Sequence, residues 1–195
     1  MTKVKICGLS TIEAVESAVF SGADYIGFVF APSKRQISFE TAKMLSEKIP
    51  STIKKVGVFV SPSLEQINKA LSIVDLDLVQ IHGEMDEVVY SQINLPIIRA
   101  YQMDKKINEV DEKIDFLLFD SPNAGSGQLF QWDYLKTDRL TKKFFIAGGL
   151  TKDNVLDAIE QFHPYAVDVS SGVETNGQKD AVKIKEFIER VKYGI

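Results

Sequence analysis

The chain has 195 residues, 45% hydrophobic and 26% charged, with a formal net charge of −4. That length suits one compact domain over residues 1–195, and the acidic balance argues against nucleic acid as a partner. The longest apolar stretch, Tyr25 to Ala31, is far too short to cross a bilayer, so no membrane partner is expected.

One cysteine forms no internal disulfide, and no signal-peptide pattern opens the sequence, so a cytoplasmic protein is expected. Two histidines, His82 and His163, rule out a Cys/His zinc site. No metal is expected.

Eight short apolar runs mark strands, at 3–7, 24–30, 55–60, 77–81, 96–101, 115–119, 143–147 and 166–169. Most are continuous rather than alternating, as in strands covered on both faces. After the first run, Ser10-Thr11-Ile12-Glu13 reads as a capping box. It opens a helix with Ile12, Val15, Ala18 and Val19 on one face and Gly22 as its stop. After the third, Ser61-Pro62 reads as an N-cap with a first-turn proline, ahead of Leu64, Ile67, Ala70, Leu71 and Val74. Between the fifth and sixth runs the helix signal is weakest, because Asp104 to Glu112 offers only Ile107 and Val110. Thr151 opens a helix whose Val155, Ala158, Ile159 and Phe162 face the sheet. The last helix spans Asp180 to Lys192, with Val182, Ile184, Phe187, Ile188 and Val191 apolar. Strand alternates with helix without a linker, which predicts an α/β fold. Eight units favour a closed (β/α)8 TIM barrel of near-minimal size over an open sheet.

In such a barrel the strand ends share one face, where active sites are built. The first run ends on Cys7, the lone cysteine. It reads either as a small buried hydrophobe or as a base or nucleophile whose thiolate the following helix start favours. The sixth run ends on Asp120, which is either a cap or a general acid whose apolar surround raises its pKa. The seventh ends on Gly148-Gly149 and the eighth on Ser170-Ser171-Gly172. These are ordinary turns or a pair of phosphate-binding loops. Arg35, after strand two, is a solvated loop residue or a bidentate clamp for a carboxylate. Gln80 and His82 end strand four, where His82 bonds a loop carbonyl or the ligand. Lys5, Arg99 and Asp168 are charges within apolar strands; those facing inward must pair or line the site. Pro122 to Gly127 reads as a flexible loop, a candidate lid.

These motifs resemble the phosphoribosylanthranilate isomerase family over nearly the whole chain. The resemblance rests on Val4-Lys5-Ile6-Cys7-Gly8-Leu9, Gly27-Phe28-Val29-Phe30 with Ser33-Lys34-Arg35, and Val79-Gln80-Ile81-His82-Gly83. Phe119-Asp120-Ser121, Ala147-Gly148-Gly149-Leu150 and Val167 to Glu174 continue it. It implies an Amadori rearrangement of a phosphoribosyl-anthranilate without a cofactor, by a monomer or homodimer. Asp120 is then the general acid, Cys7 the general base and Arg35 the holder of the anthranilate carboxylate. Gly148, Gly149, Ser170, Ser171 and Gly172 receive the phosphate. The chain departs from the family pattern at Gln131, where an aspartate is usual, and at Lys152, where a proline is common. A related phosphosugar barrel, or a phosphosugar-binding module without turnover, stands as the alternative.

Overall fold

The computed structural model describes residues 1–102, 112–120 and 140–195. Among these, eight parallel strands close a barrel in chain order. They are β1 (Lys3–Cys7), β2 (Tyr25–Val29), β3 (Lys54–Val60), β4 (Leu78–His82), β5 (Ile97–Gln102), β6 (Phe116–Asp120), β7 (Lys143–Ala147) and β8 (Ala166–Val169). The ring shuts where β1 pairs with β8, setting Lys5 against Asp168 and Ile6 against Val169. Six helices are described: α1 (Ile12–Ser21), α2 (Phe39–Ser46), α3 (Leu64–Ile73), the single turn α4 (Glu87–Tyr90), α5 (Val155–Phe162) and α6 (Ala181–Tyr193). A 3-10 turn (Ser171–Val173) and a small ribbon of β9 (Glu174–Thr175) and β10 (Gln178–Lys179) lie between β8 and α6. The barrel meets the TIM expectation.

Period-two geometry sorts each strand between two layers. Val4, Ile6, Ile26, Phe28, Val79, Ile81, Ile146 and Val167 pack outward with helix residues such as Val15, Ala18, Ile184 and Phe187. Their neighbours Cys7, Tyr25, Val56, Val58, Leu78, Ile98, Leu118 and Phe145 form the barrel's interior. Both faces are apolar, which is why the strands read as continuous runs. The lower end is plugged by Tyr25, Phe116, Phe145 and Tyr165, in edge and stacked ring contacts 5.4–5.9 Å apart. Polar residues gather at the upper end.

Three helix starts fall later than the sequence indicates. The α1 N-cap is Thr11, whose hydroxyl accepts from the Ala14 N–H at 3.3 Å, rather than Ser10. The α3 N-cap is Ser63, which forms a capping box with Gln66, rather than Ser61. Ser61 instead adopts φ +44° and its Oγ accepts from the Glu84 N–H, bracing the turn after β3 against the turn after β4. Thr151 begins a turn, and α5 proper starts at Val155. Asp180 caps α6 as expected, although Val182 is exposed rather than packed. Residues 103–111 between β5 and β6, the Pro122–Gly127 loop and Gln131 lie outside the described residues.

Candidate active site

Above the aromatic plug, residues from seven strands and the turns after them enclose a cavity of about 270 Å3. Cys7, Asp120, Arg35, Gln80, His82, Gly148, Gly149, Ser170 and Ser171 all line it. Asp168 and the apolar Val58, Leu118 and Ala147 complete the wall. The catalytic and substrate-binding candidates Cys7, Asp120, Arg35, Gln80, His82, Gly148, Gly149, Ser170 and Ser171 therefore share one chamber, whereas Gly172, Lys5 and Arg99 do not line it. At Gly172 a Cβ would collide with the Leu150 carbonyl oxygen, so the bare backbone lets the turn after β8 close on the turn after β7.

Cys7 ends β1 facing inward, with its neighbour across the ladder, Gly27, directly beside it. A Cβ on Gly27 would lie 2.9 Å from the Cys7 Sγ and 3.3 Å from the Lys5 Cε, so the missing side chain is the space these two occupy. Burial pushes the Cys7 thiol up, while the Lys5 and Lys179 ammonium groups pull it back. The helix after β1 begins at Ile12, with Thr11 as its cap. A positive side chain two residues before Cys7 on the same strand also acts on the thiol. Lys5 is fully buried, and its Nζ donates to Asp168 Oδ1 at 2.9 Å. Burial works against its charge, yet Asp168 and Cys7 hold its pKa above the usual lysine value. Arg99, the third charge in the strands, faces outward and donates to the carbonyls of Ile81 and Gly83.

Arg35 is already engaged. Its Nε donates to Glu174 Oε1 at 2.5 Å and its Nη2 to Oε2 at 3.0 Å. The fork assigned from sequence to a ligand carboxylate is engaged by one of the protein's own. Lys179 donates to the same carboxylate at 2.9 Å, and to Ser170 through its carbonyl at 2.7 Å and its Oγ at 3.1 Å. Burial acts to raise the Glu174 carboxyl, but the Arg35 and Lys179 hydrogen bonds outweigh it and bring it down to about 2. The Ser170 hydroxyl in turn donates to the Cys7 carbonyl at 3.1 Å. One connected network thus runs from Arg35 through Glu174 and Lys179 to the turn after β8 and the end of β1. Glu174 and Lys179 carry no isolated signal in the sequence, because their contacts depend on the ribbon folding back.

On β4, Gln80 Nε2 and His82 Nε2 are 2.7 Å apart, while the buried Gln80 Oε1 has no hydrogen-bond partner among the described residues. Burial and the nearby Lys5 charge lower the His82 pKa to about 4, so the ring is neutral near pH 7. Across the chamber, Gly148 and Gly149 take φ +83° and +67°, a conformation that turns the chain sharply at the wall. Asn154 braces that turn, donating to the Gly149 carbonyl at 3.0 Å and accepting from the Thr151 N–H at 2.8 Å.

Chemistry at the C-terminal mouth of a closed parallel barrel marks a (β/α)8-barrel enzyme. The comparisons narrow that class. Residues 4–190 match the family model described as N-(5'-phosphoribosyl)anthranilate (PRA) isomerase. The N-(5'-phosphoribosyl)anthranilate isomerase of Streptococcus mutans is 62% identical over 192 residues, 98% of this chain and 100% of that protein. The crystal structure of phosphoribosyl anthranilate isomerase from Thermotoga maritima superposes with a TM-score of 0.87 at 37% identity, over 100% of both chains. A further isomerase structure, in complex with reduced 1-(o-carboxyphenylamino)-1-deoxyribulose 5-phosphate, gives a TM-score of 0.85 at 36% identity, again over 100% of both chains. The chain belongs to the PRA isomerase family.

Proposed function

We propose that this chain rearranges N-(5-phosphoribosyl)anthranilate to 1-(2-carboxyphenylamino)-1-deoxyribulose 5-phosphate in tryptophan biosynthesis, with Asp120 as general acid and Cys7 as general base. The observation that carries this reading is that a thiol at the end of β1 and a carboxyl at the end of β6 line one cavity.

Asp120 gives its proton to the furanose ring oxygen. The C1–O bond breaks as the nitrogen lone pair forms C1=N, opening the ring to a protonated Schiff base. Cys7, as thiolate, takes the C2 proton; the C–H electron pair becomes C1=C2, and the iminium is neutralised to an enolamine. The enolamine then loses its hydroxyl proton and gains one at C1, giving the ketone. No electron enters or leaves, because the substrate's own amine is the electron sink. The two steps require opposite protonation states from two groups, and a thiol and a carboxyl in different surroundings meet that need.

The phosphate rests against backbone amides of Gly148, Gly149, Ser170 and Ser171, with Gly172 allowing the two turns to approach. Two Gly/Ser turns at the ends of β7 and β8, both lining the cavity, support this assignment. Arg35 meets the anthranilate carboxylate. Gln80, with an unpaired buried oxygen, and neutral His82 bond the sugar hydroxyls. The cytoplasm is the assigned compartment, in keeping with a lone cysteine kept as a thiol.

The assay follows the anthranilate fluorescence of freshly prepared substrate after adding the purified protein. The expected result is rapid, protein-dependent quenching; an unchanged decay rate contradicts the reading.

A further inference from the structure

The proposed mechanism gives the buried Lys5–Asp168 pair no task. Lys5 is fully buried inside the barrel and is held by Asp168, its direct neighbour across the β1–β8 ladder, at 2.9 Å. A buried ion pair of this kind is weak evidence for stability, since well-packed apolar side chains often serve as well. Its position is more telling than its energy. Lys5 and Cys7 are two residues apart on β1 and so face the same way, into the barrel interior. The Lys5 Cε and the Cys7 Sγ lie 3.3 Å and 2.9 Å from one point, the place where Gly27 lacks a Cβ. Asp168 lines the chamber wall beside them.

We propose that Lys5 is a positioning residue for catalysis: its ammonium, anchored by Asp168 and admitted by Gly27, favours the thiolate form of Cys7 that removes the C2 proton. Lys5 keeps its own proton throughout; the substrate proton goes to sulfur. This rests on Cys7 being the general base. A thiol in an apolar pocket is a poor base at neutral pH because burial disfavours the anion, and a fixed cation at short range is the physical remedy. Burial is the largest influence on Cys7 and leaves the thiol above its ordinary value; Lys5 is the next largest, and it favours the thiolate. The other groups facing the sulfur are Lys179 from β10, which acts with Lys5, and Asp168 from β8, which acts against it. Arg35 lies on the loop after β2 and Asp120 at the end of β6, on the same cavity wall. His82 on β4 is neutral, and the Lys5 charge helps keep it so.

With a single cysteine in the chain, alkylation by iodoacetamide as a function of pH reads Cys7 alone. Lys5→Met is expected to raise the midpoint of that profile by about 1 pH unit or more, the scale of a neighbouring opposite charge. At pH 7 this slows alkylation roughly tenfold or more. Asp168→Asn, which keeps the lysine charge, shifts the midpoint in the opposite direction. The double variant Lys5→Met/Asp168→Asn leaves no unpaired buried charge, so it keeps the fold testable; its midpoint still rises, by less than in Lys5→Met. The acid limb of the kcat profile follows the alkylation midpoint in each variant that turns over. A midpoint unchanged or lowered in both lysine variants overturns the proposal and leaves the base assignment standing. Wild-type turnover by Cys7→Ser overturns the base assignment and leaves the alkylation result standing.

Discussion

Arg35 and Glu174 meet edge to edge, with Nε–Oε1 at 2.5 Å and Nη2–Oε2 at 3.0 Å, although 139 residues separate them in sequence. The pair fixes the guanidinium plane at the cavity wall. Glu174→Gln keeps the shape and removes the charge, so Arg35 and Lys179 lose their anchor. The expected outcome is a KM roughly tenfold higher with kcat changed only a few-fold, the signature of lost ground-state binding. Steady-state kinetics on the variant check it.

Acid destabilises this site through two groups whose pKa values are lower in the folded protein. His82 titrates at about 4 when folded and near ~6.5 when unfolded, so the unfolded chain binds the extra proton over that interval. Stability therefore falls as pH drops from about 6.5 toward about 4. Glu174, at about 2 when folded against ~4.3 unfolded, gives stability that is present above its unfolded value and is lost on further acidification. Denaturation midpoints measured from pH 7 to pH 4 are expected to fall in wild type and to fall less in His82→Gln. An NMR titration placing His82 at its ordinary value contradicts the account.

Gly27 is the packing counterpart of the reactive end of β1. Gly27→Ala introduces a methyl at 2.9 Å from the sulfur and 3.3 Å from the Lys5 Cε. One group must move, at a cost of about 1–3 kcal/mol typical of overpacking. Displacement of Cys7 is expected to lower kcat by about 10-fold or more, since small misplacements of reacting groups are costly. Thermal melts and kcat on the same sample separate the two effects.

The barrel's architecture was readable because its cause is local: eight apolar runs separated by helical periodicity leave few alternatives. The strand-end residues were readable for the same reason, since parallel strands bring their ends to one mouth. The starts of α1 and α3 fall one or two residues late, because Ser10 and Thr11, or Ser61 and Ser63, satisfy the same capping chemistry and only the tertiary turn chooses; α5 starts later still, at Val155 rather than Thr151. The roles of Gly27, Glu174 and Lys179 were not legible. Each depends on strand register or on the ribbon after β8 folding back, and neither leaves a periodic trace. The Arg35 fork was assigned to a ligand because nothing in the sequence reveals that Glu174 reaches it.

The aromatic plug is remote from the polar mouth, so its contribution should be to stability alone. Phe145 is fully buried and meets Tyr25, Phe116 and Tyr165. Phe145→Ala is expected to lower stability by about 3–5 kcal/mol, the usual cost of removing a buried phenyl ring. Assayed well below its melting point, the variant should keep kcat within a few-fold of wild type. Urea melts and low-temperature kinetics test the separation.

The assignment of acid and base is tested most directly by Cys7→Ser and Asp120→Asn in parallel. Single-turnover rates and affinity for reduced 1-(o-carboxyphenylamino)-1-deoxyribulose 5-phosphate are measured on each. Each variant is expected to lose about 10²-fold or more in rate while binding the analogue nearly as tightly as wild type. Wild-type rates in both variants would contradict the account.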